Sequence, residues 1–310
     1  MRIALLNSGL GLLAAAAQLH RLRPDADLVL SMDPDGMPWG ARTPGDIAQR
    51  SLCCARAAAA YKPDVLVFAC NTGSVHALGA LREEFEPGIP VVGTVPAIKP
   101  AAAFSSAVAI WATAATTGSA YQRQLITEFA ASAQVTEVAC AGLADAIHAA
   151  DEAAARAAVS DAAARTPAGC GAVVLGCTEY ELAADLIGRA LPGAALFGSA
   201  TAVAAQALRR AGAGGNGSGQ AHGGSPASPR AARQASNAPD TGTARETSTA
   251  RETSTARETS TGSLRVLLSG RPSSLPPAAL RYPAGRLLAA LAAEPAASRR
   301  PAAASSPERV

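Results

Sequence analysis

Charge is scarce in this 310-residue chain: Asp, Glu, Lys and Arg make up 16% of it, and the formal net charge is +3. So weak a balance supplies no basic field of the kind that draws nucleic acid, which is therefore excluded as a partner. Long apolar runs are missing too. No stretch reaches the roughly 18 unbroken apolar residues of a membrane span, so no membrane partner is expected. The six cysteines, at 53, 54, 70, 140, 170 and 177, lack the paired short spacings of zinc sites, so no metal is expected. A disulfide framework does not fit so long a chain either, and reduced thiols in a cytoplasm are the simpler reading. At the start, Arg2 precedes a small-residue apolar run, but Asn7-Ser8-Gly9 interrupts it after a few residues. That break predicts a strand-to-helix turn rather than a secretory leader.

What is present is apolar residue in quantity, 49% of the chain with alanine inflating the figure, enough for a sizeable core. Residues 1 to about 210 alternate short apolar runs with alanine-rich stretches, which predicts an α/β fold wound from βαβ units. The clearest predicted strands are Arg2–Leu6, Val65–Ala69, Val91–Val95, Val108–Ala112 and Ala172–Leu175. Each is continuous rather than alternating, as parallel strands buried on both faces should be. Helices are expected at Gly45–Tyr61 and Ala120–Ala131.

From 211 to 262 the composition turns to Gly, Ser, Thr, Pro and Arg, and Thr-Ala-Arg-Glu-Thr-Ser runs from Thr243 to Ser260 in immediate repeats. Almost nothing there is larger and more apolar than alanine, so a disordered low-complexity linker is expected. An apolar run returns at Leu264–Leu268, a short helix-compatible stretch follows from Leu275 to Arg281, and residues 291–310 read as a loose tail.

Two segments place a cysteine where a strand gives way to a polar turn: Val67-Phe68-Ala69-Cys70-Asn71-Thr72-Gly73 and Val174-Leu175-Gly176-Cys177-Thr178-Glu179. Ligands of open parallel sheets bind outside the carboxyl ends of the strands, so both thiols fall on the functional edge. The helix starts that follow offer free backbone N–H groups to a carboxylate. Cys53, Cys54, Cys140 and Cys170 read instead as small buried hydrophobes. His20, His76, His148 and His222 show no ligand-like spacing and read as surface or helix residues, with His76 alone weighed for a supporting role near Cys70.

These two segments resemble the signature segments of the glutamate/aspartate racemase family. Further matches fall in order: Asn7-Ser8-Gly9-Leu10-Gly11 resembles the family's opening Asp-Ser-Gly turn, and Pro38-Trp39-Gly40 its Pro-Tyr-Gly. Val92–Ala97, Ala112-Thr113 with Thr116, and Val266–Pro272 resemble later strands and turns. The resemblance covers about 1–210 and 263–285. It implies two similar lobes, each a mostly parallel sheet flanked by helices, with the active site between them. The first lobe would be 1–96 with 197–210 and 263–290, and the second 97–196.

The resemblance further implies racemisation of glutamate, feeding peptidoglycan synthesis, with no cofactor and with Cys70 and Cys177 as the catalytic pair. A thiol suits both halves of an inversion, because its pKa of about 8.5 lets it take or give a proton near neutrality. The amino-acid substrate would be held by Asn7, Ser8, Pro38, Trp39, Gly40, Asn71, Thr72, Thr116, Thr178 and Glu179. A homodimer is compatible with it. Two positions depart from the family: glutamate racemases carry an acid at Asn7 and a histidine at Glu179, and both residues are expected to support catalysis here. Glu after Cys-Thr is what the aspartate-racemase branch shows, so an aspartate or broad-range racemase is one alternative. A protein that keeps the fold for binding or regulation is the other.

Overall fold

A computed structural model describes residues 1–214 and 261–293. The expected linker and tail therefore lie largely outside the described residues, except at their edges. A helix runs through Gly214, past the expected start of the linker, and the last helix ends at Ala293 rather than before residue 291.

The first sheet has six strands. Its parallel part consists of β1 (Arg2–Asn7), β2 (Asp27–Met32), β3 (Val65–Phe68), β4 (Val91–Gly93) and a late strand from beyond residue 260. Helix α1 (Leu12–Leu22) links β1 to β2, α2 (Pro44–Ala59) links β2 to β3, and α3 (Asn71–Phe85) links β3 to β4. After α4 (Ile98–Phe104) comes a second, four-stranded parallel sheet. It contains β5 (Ala107–Ala112), β6 (Gln134–Ala139), β7 (Ala172–Leu175) and β8 (Ala195–Phe197) in the order β6-β5-β7-β8. Its connections carry α5 (Ala120–Phe129), α6 (Leu143–Ala149), α7 (Glu152–Ala164) and α8 (Ala184–Ala190). Helix α9 (Ala200–Gly214) returns to the first sheet. The late strand β9 (Leu264–Leu268) then pairs parallel with β2, β10 (Arg271–Ser273) turns back antiparallel on β9, and α10 (Pro283–Ala293) closes the fold.

The strands form where Val, Leu, Ile and Ala run together, and in β1, β3, β5 and β7 those runs are buried on both faces. Three helices start at oxygen side-chain caps: Thr43 accepts the N–H of Asp46 with Pro44 at the first helical position, Ser119 caps α5, and Asp151 accepts from Ala153 and Ala154. One core layer packs α1, α9 and α10 on the first sheet, and α2 and α3 cover its other face. Leu182 and Tyr282 pack into the cores of both sheets and join the two lobes.

Candidate active site

The first polar positions beyond β1, β3, β5 and β7 converge on one cavity of about 350 Å³ between the two sheets. Cys70 and Cys177 both line it, one beyond the end of β3 and the other beyond β7. Chain direction explains this placement. In each parallel sheet the carboxyl ends point the same way, and the two sheets turn those ends toward a shared cleft.

Cys70 is buried and serves as the cap of α3, its Sγ accepting the N–H of Gly73 at 3.4 Å. Burial, then the neighbouring Glu179, pushes its thiol pKa up to about 12, against the pull of backbone amides of Gly73, Ser8 and Thr72. Cys177 shows part of its surface to the cavity. The enclosing protein raises its thiol well above the usual range, and Glu179 adds to this by charge and by accepting the S–H at 2.9 Å. Both sulfurs thus hold their protons in the resting site, and Cys177 already points its proton at a carboxylate.

Glu179 is buried at 8% exposure and also accepts the N–H of Gly11 and the hydroxyl of Thr178. Gly11 is there for closeness: a Cβ would lie 2.2 Å from Thr178 Oγ1 and 2.9 Å from the Glu179 carboxyl carbon. Asn71 crosses the cleft as well, donating from Nδ2 to the Gly176 carbonyl at 2.6 Å, while its Oδ1 has no partner. Ser8, Pro38, Trp39, Gly40, Thr72, Thr116 and Thr178 all line the cavity. Trp39 packs edge-on against Phe68 and donates its indole N–H to Asp33 at 2.9 Å. Gly40 faces Ala115 of the opposite lobe.

Asn7 is the exception among the expected substrate contacts. It is wholly buried and does not line the cavity; Nδ2 donates to the Ala69 carbonyl and, at 3.1 Å, to Thr178, while Oδ1 accepts from Gly9 N. Its place is behind the wall, tying β1 to both cysteine segments. His76 is exposed on α3 and outside the lining, and His222 lies outside the described residues. Sequence reasoning missed His148, Asp145 and Cys140, which line the cavity from α6 and the turn before it. Among the described residues no cluster of three or more His, Cys, Asp or Glu side chains converges as a metal site.

With that geometry established, comparison with known proteins is decisive. The Asp/Glu/Hydantoin racemase family profile matches residues 7–207. The chain belongs to this family. It is 34% identical over 213 residues to a glutamate racemase of Pseudomonas putida (strain W619), covering 67% of this chain and 80% of that protein. It is 35% identical over 185 residues to a glutamate racemase of Roseiflexus sp. (strain RS-1), covering 58% and 68%. A crystal structure of Escherichia coli glutamate racemase with L-glutamate and the activator UDP-MurNAc-ala superposes with a TM-score of 0.64 at 30% identity, over 68% of this chain and 82% of that one. The Thermus thermophilus glutamate racemase in complex with beta-chloro-D-alanine gives 0.57 at 27% identity, over 71% and 84%. This racemase-family chain is accordingly an isomerase by class. Among its described residues no helix is long and apolar enough to cross a membrane.

Proposed function

We propose that the chain interconverts L- and D-glutamate without a cofactor, Cys70 and Cys177 each exchanging a proton with one face of the substrate α-carbon. One observation carries the reading: two thiols from the ends of strands in different sheets line the same small cavity. Inversion requires one base and one acid on opposite sides of a carbon, and a pair of like groups serves both directions equally. The N-terminal end of α3, with Ser8, Thr72, Thr116 and Thr178, suits the substrate carboxylates and the charge that gathers on the α-carboxylate as the proton leaves.

Glu179 is the acceptor through which Cys177 is relieved of its proton. Asn7 contributes by orienting the two cysteine segments, since an amide cannot take a proton. The lobes 1–96 with 197–210 and 263–290, and 97–196, are the units between which substrate enters. The product serves peptidoglycan synthesis in the cytoplasm, and a homodimer is consistent with the role. A second reading, racemisation of aspartate, draws on Glu179, which stands where glutamate racemases carry histidine.

Chiral chromatography of the products from L-glutamate and L-aspartate tests both readings. D-glutamate should accumulate in preference to D-aspartate, and Cys70→Ser and Cys177→Ser should each lower the rate by at least about 10²-fold. Inertness toward both amino acids, with no solvent deuterium entering Cα, would leave only a binding role.

A further inference from the structure

Of the side chains lining the cavity among the described residues, two are carboxylates, Asp145 and Glu179, and none is Lys or Arg. His148 is the one lining side chain that can carry positive charge. It projects from α6 of the second lobe to the β1 turn of the first, where a Cβ on Gly9 would lie 2.8 Å from its Nδ1 and 2.6 Å from the Met37 sulfur. The glycine is what leaves room for the ring. Nδ1 is buried and has no hydrogen-bond partner. Helix α6 is pinned by Tyr282, whose hydroxyl donates to the Ile147 carbonyl.

We propose that His148 is a positioning residue that acts as the counter-cation of this site: when Cys177 gives up its proton, the imidazole takes one up. The S–H bond breaks with its electron pair left on sulfur, the proton passes by way of the Glu179 carboxylate to the free ring nitrogen, and the cavity's net charge does not change. Without that uptake, a thiolate at Cys177 would stand beside the Glu179 carboxylate uncompensated in a low-dielectric cleft.

The groups facing His148 fit this role. Asp145 lies one turn back on its own helix, and Glu179 and Cys177 come from the segment packed against α6. The neighbouring α7 and the 3-10 turn Pro277–Arg281 bring Glu152 and Arg281, which pair with each other at 2.8 Å. Burial lowers the imidazole's pKa while Glu179 and Asp145 raise it, so the resting ring is neutral and a new anion beside it favours its taking up a proton.

The inference rests on the reading of Cys177 as a proton-transfer group, and its test does not depend on turnover. Iodoacetamide alkylation of Cys177 is followed by peptide mass spectrometry against pH, with the exposed Cys53 as internal reference. In His148→Gln the Cys177 rate near neutral pH should fall about tenfold relative to Cys53, the profile moving upward by about one pH unit. Superimposable profiles would overturn the proposal. Should His148→Gln fold poorly, the NMR titration of His148 in the unmodified chain and in Glu179→Gln decides it. Loss of the carboxylate should move the imidazole to lower pH, and no movement overturns the proposal. Glutamate turnover without the alkylation shift would sink this inference alone; the shift without turnover of any amino acid would sink the glutamate reading alone.

Discussion

Asn7 stands where the racemase resemblance calls for an acid, yet restoring the acid would not restore its function. Its Nδ2 donates to the carbonyl of Ala69, and an aspartate would set an acceptor against that acceptor. The position is wholly buried, and the Glu179 carboxylate bonds the same Thr178 hydroxyl that Asn7 does. Asn7→Asp should therefore cost least in urea unfolding at acid pH, where the protonated carboxyl can still donate to the Ala69 carbonyl, and about 1–3 kcal/mol more where the acid is ionised and that carbonyl is orphaned. The cost should grow as pH rises, because burial raises the folded-state pKa of the new carboxyl and stability is lost as it is forced to ionise. An unchanged midpoint at both pH extremes would show that the amide donor is dispensable. The same scale explains what was legible. Cys70 and Cys177 could be read because strand direction fixes where a residue just past a strand end must lie. His148 could not, because its role comes from a contact between α6 and the β1 turn that no local spacing encodes, and Asn7 was misread because a strand's last residue can face the wall as readily as the cavity.

At the level of elements, the strands that read clearly were those buried on both faces, such as Ala172–Leu175, whose bounds agree with β7. The edge strands of the second sheet were hidden. In β6 the sequence Gln-Val-Thr-Glu-Val-Ala carries polar residues on a half-exposed edge, and β8 is only 3 residues long. β2 opens on Asp27 and carries Ser31, which breaks the apolar signal, although Ser31 finds a buried partner in the Cys54 carbonyl. Helix α9 begins without an acid in its first turn, and Glu181 supplies one from elsewhere in the chain, accepting Ser199 N at 2.8 Å, Ala200 N at 3.1 Å and the Ser199 hydroxyl at 3.0 Å. Burial raises the Glu181 carboxyl above its usual range despite these bonds. An acid raised in the folded state binds its proton more tightly there, so its contribution is greatest below the unfolded value of 4.5 and is lost as pH rises through the folded one. Glu181→Gln keeps an acceptor and cannot ionise. The stability of the unmodified chain relative to this variant should decline as pH rises above about 4.5 in urea titrations, and a flat difference would mean that Glu181 does not gain a raised pKa on folding.

Across the whole molecule, the segment 261–293 completes the first sheet and, through Tyr282, packs against the cores of both sheets. β9 covers the edge of β2, and Val266, Leu267, Leu288 and Leu291 are buried in the first lobe. At about 1.5–3 kcal/mol for each large aliphatic side chain, those four contribute up to about 6–12 kcal/mol. That is comparable with the entire stability of an ordinary domain, about 5–15 kcal/mol. The segment also reaches both walls of the site: the Ser269 hydroxyl bonds Asp33, which holds the Trp39 indole, and Tyr282 holds α6 beside His148. A chain ending at residue 214 should therefore lose cooperative unfolding and racemase activity together, its β2 edge open to aggregation. Supplying residues 261–293 as a separate peptide should recover both in proportion to its concentration, since binding to the folded state alone stabilises by mass action. A truncated chain that melted cooperatively and turned over substrate unaided would mean that the first eight strands and their helices hold the cleft without it.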